Sequence, residues 1–302
     1  MTGRKKRKSP DGFIRRTVIS AVAAMLLVTM PPNVCLAGPI KIATWNLDWL
    51  TSDPEGQKSI PPDVYRRQPA DFARLSAYAQ KLDADVIGFQ EVDQPRTAAM
   101  VFPLSRYAIV MSDDRIEQRV GIAVKRMLHV TRNRDLTALN VYPPTAPHAL
   151  RSGLDVTIAD GSSTLRVLVV HLKTGCWDNP WNERGHSCPT LENQFEILND
   201  WILERTDEGQ PFAIIGDFNR RLAPHDPFYM ALTHDAPLTL TTSGRASPCW
   251  GGEYFIDHLL LGGGAEHWMA PGSLRVATFK NTDIPPDHLS DHCPVSIKLS
   301  PP

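Results

Sequence analysis

The chain has 302 residues, of which 42% are hydrophobic and 22% charged, and its formal net charge is −1. That apolar content is ample for a buried core, which excludes a globally disordered chain. No apolar run reaches about 18 residues, which excludes a multispanning helical membrane protein, and the near-zero charge offers no whole-chain attraction to a polyanion.

The N-terminus alters the charge balance. Residues 1–37 combine a basic stretch (Arg4 to Lys8, then Arg15 and Arg16), an apolar stretch at 18–30 and small residues ending at Ala37. Those are the three parts of a secretory signal. As a helix the apolar stretch spans about 20 Å against a hydrocarbon core of about 30 Å, so no stable membrane anchor is expected after cleavage. The expected domains are a signal peptide at 1–37 and one folded domain at 38–302, secreted or periplasmic and monomeric. Cleavage removes seven of the 32 bases and one of the 33 acids, leaving the mature chain near −7. Four cysteines remain: Cys176, Cys188, Cys249 and Cys293. An even count in an exported chain predicts two disulfides, with three pairings open. Cys176 with Cys188 closes a short loop and leaves Cys249 with Cys293. The competing reading is a metal site of Cys176, His186 and Cys188, which lacks the usual C-x-x-C spacing.

Strand-like runs follow at 40–44, 86–89, 106–111, 120–124, 154–159, 165–170, 212–215, 254–261, 274–278 and 294–299. One amphipathic helix aligns Phe72, Leu75, Tyr78 with Ala79, and Leu82, ending near Asp83. A second starts after Thr190 as N-cap and aligns Leu191, Phe195, Leu198 and Ile202. Strands and helices mixed in this way predict an α/β or α+β sandwich in one domain.

The informative pattern is where polar residues fall. Apolar runs end at Asn46, at Glu91, at His171, at Asp217 with Asn219, at Asp257-His258 and at Asp291-His292. Strand ends hold side chains on rigid supports, and in α/β sheets binding sites collect there. One such ending is ordinary turn punctuation. Six ending in groups that bind metal or move protons predict an active site.

These segments resemble the endonuclease/exonuclease/phosphatase superfamily, which includes deoxyribonuclease I-like nucleases, neutral sphingomyelinases and inositol polyphosphate phosphatases. The matching stretches are TWNLDWL at 44–50, IGFQEV at 87–92, VVHLKT at 169–174, IIGDFN at 214–219, FIDHLLL at 255–261 and LSDHCPV at 289–295. The resemblance implies a four-layer α/β sandwich of two packed mixed β-sheets flanked by helices. It also implies phosphoester hydrolysis with a divalent metal, usually Mg2+, with Mn2+ or Ca2+ as alternatives. Hard cations of this kind favour carboxylates and water. Glu91 is then the principal ligand, with Asn46 and Asp291 beside it. His292 is the general base oriented by Asp257, Asp217 and Asn219 align the attacking water or a phosphate oxygen, and His171 faces the phosphoryl or leaving group. His258 is expected to be structural support.

Two departures bear on the branch and the substrate. The Pro-Asn segment of abasic-site endonucleases is absent, and His171 stands there instead. In the deoxyribonuclease-like branch that histidine pairs with a glutamate; here Glu117 or Gln118 is the expected partner. The insertion at 175–189 brings Trp177 and Trp181, suited to stacking on a base or a lipid headgroup, and Arg184, suited to phosphate. Arg220, Arg221 and Arg245 are further candidates for an anionic substrate. The expectation is an exported metal-dependent phosphodiesterase acting on nucleic acid, with a sphingomyelinase-type phospholipase or a phosphomonoesterase as the alternative. A non-catalytic binding protein would have lost one of Glu91, Asp217, Asp257 or His292; all four are present.

Overall fold

Alternation along the strands decides the architecture. Ile42, Val86, Val167, Val169, Ala213 and Ile215 share one core, while their chain neighbours Ala43, Ile87, Leu168, Val170 and Ile214 point the other way into two others. Strands apolar on both faces must be covered on both faces, so the sheets pack on each other and carry helices outside.

The structure, a computed structural model, describes residues 1–3, 38–53, 58, 60–161, 163–185, 187–280 and 288–302. The described residues from 38 to 302 fall in one compact unit. The signal-peptide expectation falls almost entirely outside the described residues. Among them, no helix is long and apolar enough to cross a membrane.

The strands are β1 (Ile40–Leu50), β2 (Val86–Val92), β3 (Tyr107–Met111), β4 (Arg119–Lys125), β5 (His129–Arg132), β6 (Leu154–Asp160), β7 (Ser163–His171), β8 (Phe212–Asp217), β9 (Leu238–Leu240), β10 (Asp257–Gly262), β11 (Arg275–Val276) and β12 (Val295–Leu299). One mixed sheet runs β11-β12-β1-β2-β4-β3 and the other β5-β6-β7-β8-β10-β9. Helices α1 (Pro69–Leu82) and α2 (Pro95–Val101) cover the first sheet, packing Phe72, Leu75, Ala98 and Val101 on Trp45, Phe89 and Tyr107. Helices α3 (Cys188–Asp207) and α4 (Pro227–Leu232) cover the second through Leu191, Phe195, Leu198 and Phe228. This is the four-layer sandwich.

Helix α1 ends as expected, with Asp83 in the left-handed region and its N–H donating to the Ala79 carbonyl. Helix α3 starts earlier than expected. Its N-cap is Ser187 rather than Thr190, because Pro189 suits the first turn, where its missing N–H costs nothing. The strand expected over 254–261 begins only at Asp257. Both disulfides form, Cys176 with Cys188 and Cys249 with Cys293, which removes the thiolates a metal site at Cys176 and Cys188 needs.

Candidate active site

Strand register builds the site. Parallel pairing of β7 with β8 sets His171 beside Asp217, and antiparallel pairing of β8 with β10 sets Asp257 on the other side of Asp217. Three functional groups thus stand in one row at the same sheet end. Gly216 permits this spacing: at φ 152° a side chain there would have its Cβ 2.0 Å from the Val170 carbonyl oxygen.

The other sheet contributes through irregularities. The β1–β2 register shifts between Asn46 and Leu50, and the β2–β4 register between Phe89 and Val92. Bulges of this kind re-aim side chains. Glu91 has φ 61°, and Trp49, Trp177 and Asn219 also hold positive φ around the same cleft. For residues other than glycine such strain persists only where surrounding contacts impose it. Arg67, nearly buried, supplies such contacts: it donates to the Asp48 carbonyl, to Asp48 Oδ2 at 3.0 Å and to the Leu289 carbonyl at 2.9 Å. Ser290 Oγ donates to the Asn46 carbonyl at 2.7 Å and accepts from His292 N–H at 3.0 Å, tying the 289–292 turn to β1.

The result is a cleft of about 530 Å3 lined by Glu91, His171, Asp217, Asn219, Asp291 and His292, with Gln118, Arg151 and Trp177 around them. His292 Nδ1 lies 2.8 Å from Asp257 Oδ2. Its Nε2 points to Asp217 Oδ2 at 3.8 Å and Asp291 Oδ1 at 3.7 Å. His171 Nε2 lies 3.7 Å from Asp217 Oδ2 and 3.5 Å from Glu91 Oε1. Asn219 N–H donates to Asp217 Oδ1 at 2.8 Å. Asn46 turns its amide nitrogen to Glu91 Oε1 and Asp217 Oδ2, both at 3.1 Å, while its oxygen accepts from Asp48 N–H. In this orientation Asn46 braces the two carboxylates.

Burial pushes Asp217 up to about 7 and Asp291 up to about 6. Burial alone would lower His292, but Asp257, by charge and hydrogen bond, with Asp217 and Asp291, holds it well above the ordinary imidazole range. Burial takes His171 well below that range, and the Arg151 guanidinium adds to the effect. So one imidazole is built to hold a proton and the other to stay neutral.

Partly desolvated carboxylates facing one cleft suit a hard divalent cation, which would relieve the penalty that raises Asp217 and Asp291. Ligand atoms of Asp217, Asp257 and His292 also lie within 4.8 Å of one another. The Asp257–His292 hydrogen bond already engages one atom of each of these residues, whereas Glu91 and Asp291 also face the cleft and could hold a cation without disturbing that pair.

Several expectations need correcting. The partner of His171 is neither Glu117 nor Gln118. Gln118 donates to Glu91 Oε2 and accepts from Arg151, and His171 Nδ1 is buried with no hydrogen-bond partner among the described residues. Arg220 does not line the cleft: its guanidinium is buried, paired with Asp226 at 2.5 Å and packed over the Phe228 ring. Arg221 lines the cleft instead. Arg184 is exposed and bonded to Glu192, and Arg245 is exposed; neither lines the cleft. His258 is buried, accepting from Thr242 Oγ1 at 2.6 Å and donating to the Arg220 carbonyl at 2.9 Å. Sequence reading missed Arg151 and Tyr254, for which no periodicity or motif gives a signal.

The fold is a two-sheet α/β sandwich with carboxylates and imidazoles gathered in one cleft, and the sequence places the chain in a family. Residues 43–292 match the model of the Endonuclease/Exonuclease/phosphatase family, and the chain belongs to that family. It is a hydrolase superfamily and generally depends on divalent metal. Truncated Caenorhabditis elegans TDP2 is similar at 15% identity and TM-score 0.59, covering 87% of this chain and 98% of its own. An endonuclease/exonuclease/phosphatase from Bacteroides vulgatus gives 15% and 0.60, covering 88% and 100%. D. rerio TDP2 complexed with single strand DNA product gives 16% and 0.56, covering 87% and 99%. At these identities the likeness is one of fold. No curated protein sequence matches the chain.

Proposed function

We propose that this chain is an exported phosphodiesterase that hydrolyses nucleic acid with a divalent cation. The carrying observation is the row His171–Asp217–Asp257, with His292 hydrogen-bonded to Asp257 and Glu91 facing the same cleft. His292 Nε2 accepts the proton of the attacking water, and Asp257 fixes the ring and stabilises the imidazolium that forms. Asp217 and Asn219 orient that water. His171, neutral, donates from Nε2 toward a phosphoryl or leaving oxygen, and Arg151 offsets charge on the phosphate. Glu91 and Asp291 would hold a divalent cation, Mg2+ before Mn2+ or Ca2+, and that cation would supply charge neutralisation on the phosphoryl group. D. rerio TDP2, complexed with single strand DNA product, supports the choice of nucleic acid through its shared fold. The signal-like segment at 1–37 and two disulfides support export to a secreted or periplasmic location.

The test is direct. Purified protein is assayed with Mg2+ or EDTA on plasmid DNA, RNA, sphingomyelin and inositol phosphates. Hydrolysis of nucleic acid, abolished by EDTA, is expected. Hydrolysis of sphingomyelin alone, or of the monoesters alone, would overturn the assignment.

A further inference from the structure

Among the described residues, the only exposed Trp, Tyr or Phe side chains are Trp177, Trp181 and Tyr254, at 45%, 46% and 53% exposure. Scattered exposed aromatics need no explanation, but these three are not scattered. Trp177 and Tyr254 line the mouth of the active-site cleft. The cleft continues through Arg221 and Tyr254 into a second groove of about 700 Å3, and Trp181 lines that groove.

The mouth is held rigid. Trp177 follows Cys176, tied to Cys188, and the loop leading to Tyr254 starts at Cys249, tied to Cys293 beside His292. Arg221 joins the two sides: its N–H donates to the Trp177 carbonyl at 3.1 Å, and its guanidinium pairs with Asp178 at 3.1 Å and Glu253 at 2.5 Å. Side chains fixed before binding lose little entropy on binding, which favours their use as stacking surfaces.

Charge completes the argument. Among the described residues, Arg151 and Arg221 are the only Lys or Arg lining the cleft; Arg221 is paired with two carboxylates, which leaves Arg151, bonded to the neutral Gln118 amide, as the one cation for a phosphate. A duplex needs rows of available cations against two backbones, and this cleft does not supply them. Unpaired bases offer faces that an aromatic can hold without cations.

We propose that Trp177, Tyr254 and Trp181 form a stacking track that carries unpaired nucleobases beside the scissile phosphate, so that the enzyme selects single-stranded substrate. The inference rests on the nucleic-acid reading above. Each stacked base is worth about 1–3 kcal/mol, or about 5- to 150-fold in affinity.

The experiment measures KM and kcat with Mg2+ for three substrates of equal length: an oligothymidylate, the same chain with abasic (tetrahydrofuran) nucleotides, and a duplex. The parent should show a KM for oligothymidylate at least about tenfold below the other two. Trp177→Ala and Tyr254→Ala should each lose most of that preference through KM. Trp177→Phe and Tyr254→Phe should retain it, which separates lost stacking from lost folding. Met127→Ala, exposed and away from both grooves, should match the parent. Equal use of abasic chain or duplex by the parent, or a base preference that survives both alanine variants, overturns the track. If the parent hydrolyses sphingomyelin and no nucleic acid, the reading beneath it falls as well.

Discussion

At the residue scale, His292 carries the account. Its Nδ1 is satisfied by Asp257 and its Nε2 opens toward Asp217 and Asp291, the arrangement of a base held in one tautomer. His292→Ala and Asp217→Ala should each lower kcat by about 10²- to 10⁴-fold while thermal unfolding stays near the parent, measured by initial rates and calorimetry. A base must be neutral to act. Because Asp257 and its acidic neighbours hold His292 above the ordinary imidazole range, kcat/KM should rise with pH beyond that range at fixed Mg2+. Asp257→Asn removes the first-named of those acids and should move the rising limb to lower pH while lowering kcat; a limb that stays put would contradict the pairing. The carboxylates and imidazoles are legible in the sequence because each ends an apolar run, a place where chemistry-bearing residues stand out against their surroundings. Arg151 is not legible, since it follows a proline-rich loop and reaches Gln118 only across the folded chain. Nor could spacing show that Gln118 bonds Glu91 while His171 Nδ1 goes without a partner among the described residues.

At the scale of elements, the long apolar strands and the two long helices are readable by their periods, because burial on one or both faces writes itself into the sequence. The misses have physical reasons. Helices α2 and α4 are short and carry proline in the first turn, which on sequence resembles a loop. Strands β5 and β9 are short edges of the second sheet, paired on one side only, where little apolar pattern is required. The disulfides act at this scale. Cys249–Cys293 spans 44 residues and Cys176–Cys188 spans 12. The chain-entropy model gives about 4 and about 3 kcal/mol for closing loops of these lengths. Denaturant unfolding of the two double-serine variants should therefore show the larger loss for Cys249/Cys293. The reverse order would show that the entropic argument fails here.

At the scale of the whole molecule, pH sets stability through buried groups. His258 is neutral in the core, pushed down to about 4 by burial, against about 6.5 in an unfolded chain. Above pH 6.5 neither state binds the proton and the group has no effect. Between 6.5 and 4 the unfolded state alone is protonated, so stability falls as pH falls, by about 3 kcal/mol in all. Asp217 and Asp291, raised by burial, act in the opposite sense over the same range, because the folded state takes up protons first. Comparing His258→Gln with the parent isolates the histidine: the variant should lose less stability between pH 7 and 4.5 by urea unfolding. Equal slopes would contradict the assignment. The formal −1 of the whole chain joins a basic N-terminal segment to a remainder near −7. Net attraction therefore cannot bring a phosphate chain to this cleft, and binding must rest on the cation, Arg151 and stacking. The most direct measurement is hydrolysis of a single-stranded oligonucleotide by the parent and by His292→Ala, each in Mg2+ and in EDTA. Activity confined to the parent in Mg2+ is predicted; hydrolysis that persists in EDTA, or at the parent's rate in His292→Ala, would contradict it.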